Sequence, residues 1–132
     1  MPSPRLAVDM IIEYPDGKIV LVERGVEPFR GKWAIPGGGV EIGETVENAA
    51  RREAKEETGL DIKLKKIVGI YSDPDRDPRG HTVSIVYLAE PVGGELKADT
   101  DAADAIITDD FVNRDLAFDH RKMLQDAFPE KF

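Results

Sequence analysis

One stretch constrains this chain more than any other. Residues 45–59, TVENAARREAKEETG, have helical spacing, with Thr45 placed as N-cap, Glu47 in the first turn and Gly59 as the stop. On a wheel of about 100° per residue, Val46, Ala49 and Ala50 form an apolar stripe. Glu53, Glu56 and Glu57 continue that stripe at its C-terminal end, while Glu47, Asn48, Arg51, Lys55 and Thr58 take the far side. Three carboxylates turned inward repel and desolvate one another unless something offsets their charge. Arg52 can offset one. A hard divalent cation can offset all three, because Mg²⁺ takes oxygen ligands and bridges carboxylates to phosphates.

Net charge makes the same demand. The chain has 132 residues and a formal charge of −8, with 41% hydrophobic and 33% charged residues. One folded domain spanning 1–132 is expected, burying roughly two-thirds of its unfolded surface. Such a charge disfavours nucleic acid and anionic membranes. It would also repel a polyphosphate, unless a cation intervenes. There is no cysteine, so disulfides and thiolate chemistry are excluded, and a cytoplasmic setting is expected. No run approaches the roughly 20 apolar residues of a membrane span.

The remaining segments read mainly as strands. RLAVDMIIEY, a PDG turn at 15–17 and KIVLVERG read as a hairpin. VEPFRGKWAIPGGGVEIGE reads as a loop with a short strand near Trp33 to Ile35. LDIKLKKIVGIYS and HTVSIVYLAEP are strands, DAADAIIT is a short one, and DHRKMLQDAF is a closing helix. The class is α+β. Gly37, Gly38, Gly39 and Gly43 lead straight into the acidic helix, where they permit close backbone approach and leave carbonyls available to a metal.

These residues resemble the Nudix hydrolases. The family signature G-x5-E-x7-R-E-U-x-E-E-x-G-U is met by Gly38, Glu44, Arg52, Glu53, Glu56, Glu57, Gly59 and Leu60. Ala54 alone departs, being small where a bulky aliphatic residue is usual. The resemblance implies an α/β/α sandwich with a mixed sheet between helices. It implies Mg²⁺- or Mn²⁺-dependent hydrolysis of a nucleoside diphosphate derivative. By position, Glu53, Glu56 and Glu57 would bind metal with a carbonyl of Gly37 or Gly38. Arg52 would orient a carboxylate and Glu44 would anchor the loop. The general base would be Glu53 or an acid of the later loop: Asp99, Asp101 or Asp104. The expected site is thus Arg52, Glu53, Glu56, Glu57 and Asp101.

The loop DPDRDPRG adds Arg76 and Arg79, suited to phosphate or ribose oxygens. It also resembles the ADP-ribose pyrophosphatase subgroup, which has a proline downstream of the signature. Pro74 lies 14 positions after Leu60. The expected reaction is ADP-ribose to AMP and ribose 5-phosphate, with dinucleotides, nucleotide sugars or modified nucleoside triphosphates as alternatives. Phe29, Trp33 and Phe118 are candidates for stacking on adenine, and His120 either touches ligand or caps the last helix. Relatives imply a homodimer. A non-catalytic ADP-ribose sensor is disfavoured by the intact signature.

Overall fold

A computed structural model describes residues 2–98 and 102–132, so Asp99 and Asp101 lie outside the described residues. The first strand, β1 (Arg5–Ile12), is buried on both faces from Ala7 onward. Val8, Met10 and Ile12 enter one core cluster and Ile11 enters another. A strand of that kind needs cover on both sides and belongs inside a sheet. It lies between β4 (Gly37–Gly39), antiparallel, and β6 (Thr82–Gly94), parallel. With β5 (Leu60–Tyr71) antiparallel to β6, the order of this mixed sheet is β4-β1-β6-β5. A second, antiparallel sheet joins β3 (Trp33–Ala34), β2 (Ile19–Arg24) and β7 (Ala102–Thr108) in the order β3-β2-β7.

The expected hairpin is therefore corrected. The PDG turn forms, with the Tyr14 amide donating to the Lys18 carbonyl at 2.8 Å. Beyond the single bridge Glu13–Ile19, the two strands part into different sheets. Each has enough apolar surface to demand its own neighbours, and this outweighs local pairing. The glycine run, expected as loop, is likewise a strand over Gly37–Gly39. Glycine has low strand propensity, so tertiary pairing with β1 overrides it.

Helix α1 (Val46–Thr58) and helix α2 (His120–Ala127) cover the two faces of the mixed sheet. Ala49, Ala50 and Ala54 of α1 are fully buried against Val8, Met10 and Ile12. Their small side chains let the helix lie close, and Ala54 belongs to this seam. Met123 and Leu124 of α2 join Phe111 and Phe128 in the second cluster. Each such large side chain contributes roughly 1.5–3 kcal/mol on burial. Among the described residues, no helix is long and apolar enough to cross a membrane.

Both ends of α1 form as expected. Thr45 Oγ1 accepts from the Asn48 amide at 3.1 Å. Gly59 has φ 78° and its amide donates to the Lys55 carbonyl. A Cβ on Gly59 would overlap the Glu95 carbonyl oxygen. Gly59→Ala is therefore expected to cost roughly 1–3 kcal/mol, read as a lower denaturation midpoint.

Candidate active site

A cleft of about 340 Å³ opens between the two sheets. β1 supplies Arg5, Ala7 and Asp9 to it, at alternate positions and hence from one face. Thr82 and Ser84 of β6 lie in register beside Arg5 and Ala7. The other sheet contributes Val22, Arg24 and Ala34. Gly37, Gly38, Gly39, Glu53 and Glu57 line one part of the cleft. Arg76, Asp77, Arg79, Phe118 and His120 complete it.

The glycines decide how closely these groups meet. A Cβ on Gly38 would overlap the Glu53 carboxylate, and one on Gly37 would overlap the Asp9 carboxylate. β4 thus makes room for a helix acid on one face and a strand acid on the other. The ladder also sorts its carbonyls. Met10 N donates to Pro36 O and Val40 N donates to Leu6 O. Alternation along an antiparallel pair then turns the Gly38 carbonyl toward β1 and those of Gly37 and Gly39 away. Two contacts agree: Gly39 O accepts from Arg52 Nη2 at 3.0 Å, and Gly37 N donates to Glu57 Oε2 at 3.1 Å. Of the two carbonyls expected to face a metal, Gly37's is the one free to do so.

Arg52 is the electrostatic centre. Its Nε and Nη2 donate to the two oxygens of Glu44 at 2.7 and 2.9 Å. Its Nη1 donates to Glu53 at 2.8 Å and to Glu56 at 3.2 Å. The bond from Arg52 holds the Glu44 carboxyl down at about 2. Glu53 is pushed the other way: burial raises it, against the pull of Arg52, with the charges of Glu56 and Glu44 adding to the rise.

The three helix acids do not share one setting. Glu53 is held beside Gly38, and Glu57 bonds the Gly37 amide. Glu56 is exposed, its side chain 58% accessible. Among the described residues, no group of three His, Cys, Asp or Glu side chains forms a ready metal cage. Thr58, expected on the far side, is fully buried, its hydroxyl donating to Ala54 O at 2.6 Å. The end of α1 is covered where β5 leaves it, with Lys97 N donating to Thr58 O; a wheel takes no account of such cover.

Other expected residues also separate. Arg76 lines the cleft but is a buried strut: Nε and Nη2 donate to Asp119 at 2.9 Å each, and Nη1 to Thr82 O and Ser84 Oγ. Arg79 is half-exposed, donates to Asp77 at 3.1 and 2.8 Å, and lies 5.5 Å from the Phe118 ring centre. Phe118 lines the cleft; Phe29 and Trp33 do not. Phe29 sits edge-on to Phe118 at 4.7 Å, and Trp33 packs on the second core cluster beneath Arg114. Asp104 is exposed on β7, its carboxylate accepting from the Ala105 amide, and it does not line the cleft.

Asp9 was missed. Its only sequence signal is an acid inside the apolar run LAVDMII. It is 8% exposed. Burial raises its pKa to about 7, partly opposed by Arg76 and by a hydrogen bond from Ser84. His120 is buried nearby; Nδ1 accepts from the Ile35 amide at 3.0 Å, and burial lowers its pKa to about 4.

The model of the NUDIX domain matches residues 3–127. The chain belongs to the Nudix family. An ADP-ribose pyrophosphatase of Methanocaldococcus jannaschii is 55% identical over 123 residues, covering 93% of this Nudix chain and 72% of the relative. The solved NUDIX domain of Shewanella oneidensis NrtR, complexed with ADP ribose, superposes with a TM-score of 0.85 at 26% identity, covering 100% of this chain and 91% of that one. A bifunctional NMN adenylyltransferase/ADP ribose pyrophosphatase of Francisella tularensis, complexed with AMP and a Mn ion, gives 0.82 at 27% identity. That match covers 99% of this chain and 42% of the other. Nudix hydrolases use divalent metals, and the oxygen donors at Gly37, Glu53 and Glu57 suit such an ion.

Asp9 yields a pH test of the burial described above. Its folded pKa, about 7, stands above the ordinary 3.8. The unfolded chain therefore releases this proton first, and the group's contribution to stability falls as pH rises between those values. Asp9→Asn removes that loss. Its stability relative to the parent protein is expected to increase steadily from about pH 4 to about pH 7, read by chemical denaturation with chelator present. A difference that stays flat over this range contradicts the burial described.

Proposed function

We propose that this Nudix domain hydrolyses the diphosphate of ADP-ribose to AMP and ribose 5-phosphate, with Mg²⁺ as the working cation. The observation that carries the reading is the pairing of Glu53 and Glu57 with the outward Gly37 carbonyl beside a cleft that also holds Arg79 and Phe118. The 55%-identical pyrophosphatase supports the substrate. Mg²⁺ commonly uses one or two carboxylates together with substrate phosphates and waters. Two helix acids therefore suffice, and the exposed Glu56 is left an outer role. When bound, the cation neutralises the diphosphate, acidifies a water and stabilises the charge that develops on transfer.

The chain's own residues do the rest. Glu57, fixed by the Gly37 amide, would hold the cation with the Gly37 carbonyl and an oxygen of Glu53. Arg52 fixes Glu53 and, through Glu44, the loop entering α1. Glu53, held beside Gly38 by Arg52, is the described acid assigned to accept the proton of the attacking water. Water's oxygen bonds to one phosphorus, the bridging P–O bond breaks, and the bridging oxygen leaves with the other phosphate. Arg79 and Phe118 face the same space and suit a phosphate or ribose oxygen and a base. A cytoplasmic homodimer completes the proposal; the absence of cysteine suits the first part, and exposed Ile67, Ile70 and Val92 support the second.

Incubation with ADP-ribose and Mg²⁺ should release AMP, with a higher kcat/KM than for dinucleotides, nucleotide sugars or modified nucleoside triphosphates. Glu57→Gln should lower kcat by about 100-fold or more; retained turnover would show that the cation is held elsewhere. Gly38→Ala should displace only the flexible end of Glu53. It is expected to lower kcat by roughly 10- to 100-fold while the denaturation midpoint stays nearly unchanged.

A further inference from the structure

The cleft floor holds two buried polar groups that the hydrolysis above does not use. Asp9 and His120 come from opposite ends of the chain, are 8% and 4% exposed, and both line the cleft. Each has its orientation fixed from behind. Asp9 accepts from Ser84, whose oxygen in turn accepts from Arg76 Nη1 at 3.0 Å. Arg76 itself is committed to Asp119 through two bonds of 2.9 Å, so Asp9 has no guanidinium of its own. Gly37 opposite Asp9 leaves the space that its carboxylate fills.

His120 is fixed just as firmly. Nδ1 accepts from the Ile35 amide, which places the ring proton of the neutral imidazole on Nε2. That Nε2 lies 3.8 Å from Asp9 Oδ1, too far for a hydrogen bond between them. An acceptor and a donor therefore stand side by side facing the cleft. An ionised Asp9 only accepts and a protonated one can also donate, whereas the Nε2–H of His120, fixed by the bond at Nδ1, donates throughout. The Phe118 ring, 5.4 Å from that of His120, adds an aromatic surface.

We propose that Asp9 and His120 form a base-reading pair specific for 6-aminopurine nucleotides. The amine donates to Asp9, and the neighbouring unprotonated ring nitrogen accepts from His120 Nε2–H. A 6-oxopurine presents the opposite order, a carbonyl beside an N–H: its N–H meets the Nε2–H of His120, donor against donor, and its carbonyl meets an ionised Asp9, acceptor against acceptor. Mismatched polar edges in a buried site are rejected strongly. This rests on the nucleotide reading above and adds which base the cleft selects.

The test is calorimetric binding of AMP and IMP to the whole chain with Mg²⁺ present, which needs no turnover. AMP should bind about tenfold or more tightly than IMP. Replacing the ring nitrogen by CH, in 1-deaza-AMP, should cost about tenfold on the unmodified protein. Asp9→Asn should abolish most of the AMP-over-IMP preference, and the 1-deaza arm still decides if that variant folds poorly. Equal binding of AMP and IMP, no loss with 1-deaza-AMP, undetectable AMP binding, or an unchanged ratio in Asp9→Asn would each overturn the assignment. Base preference without ADP-ribose hydrolysis would instead leave the pair standing and refute the proposed reaction.

Discussion

Helix α1 and strand β1 meet strand β4 at a place where β4 has no side chains. Everything chemical in this molecule depends on that contact. Glu53 reaches the backbone from one face and Asp9 from the other, and a single methyl group at Gly38 or Gly37 would collide with one of them. Glycine weakens a strand by its conformational freedom. Here pairing with β1, buried from Ala7 to Ile12, holds the strand in place. The reward is a backbone whose Gly37 amide and carbonyl are both turned outward, one already bonded to Glu57.

Charge is managed by one guanidinium. Arg52 spreads its donors over Glu44, Glu53, Glu56 and the Gly39 carbonyl. Planar, rigid and permanently charged, it can hold several carboxylates at fixed angles where a lysine could not. The consequence is uneven. Glu44 is kept firmly ionised, whereas the deeper Glu53 is left with a raised proton affinity because burial outweighs the pull of its partner. Two acids bound to the same arginine, Glu44 in the loop before α1 and Glu53 on the helix, thus diverge by environment alone, as an anchor and a reactive group must.

Much of this was legible in the residues. The helix, its Thr45 cap and its Gly59 stop follow from local chemistry, and the acidic stripe marks where charge has to be compensated. Periodicity could not tell that Glu56 would be exposed and Thr58 covered, because the wheel knows nothing of which strands leave the helix end. It could not split the apparent hairpin either, since partner choice between strands is a tertiary decision. Arg76 looked like a ligand group and proved to be a strut, its partner Asp119 lying 43 positions away. Asp9 was visible as an acid in an apolar run, but its meaning depends on β6, β4 and α2 together.

The central claim is that the α1 carboxylates and the Gly37 carbonyl hold the working cation. Anomalous diffraction from a crystal soaked in Mn²⁺ tests it most directly. The account predicts a peak against Glu57, Glu53 and the Gly37 carbonyl, at the edge of the inter-sheet cleft. A peak confined to the acidic stretch leading into β7, with none beside Gly37, would contradict it.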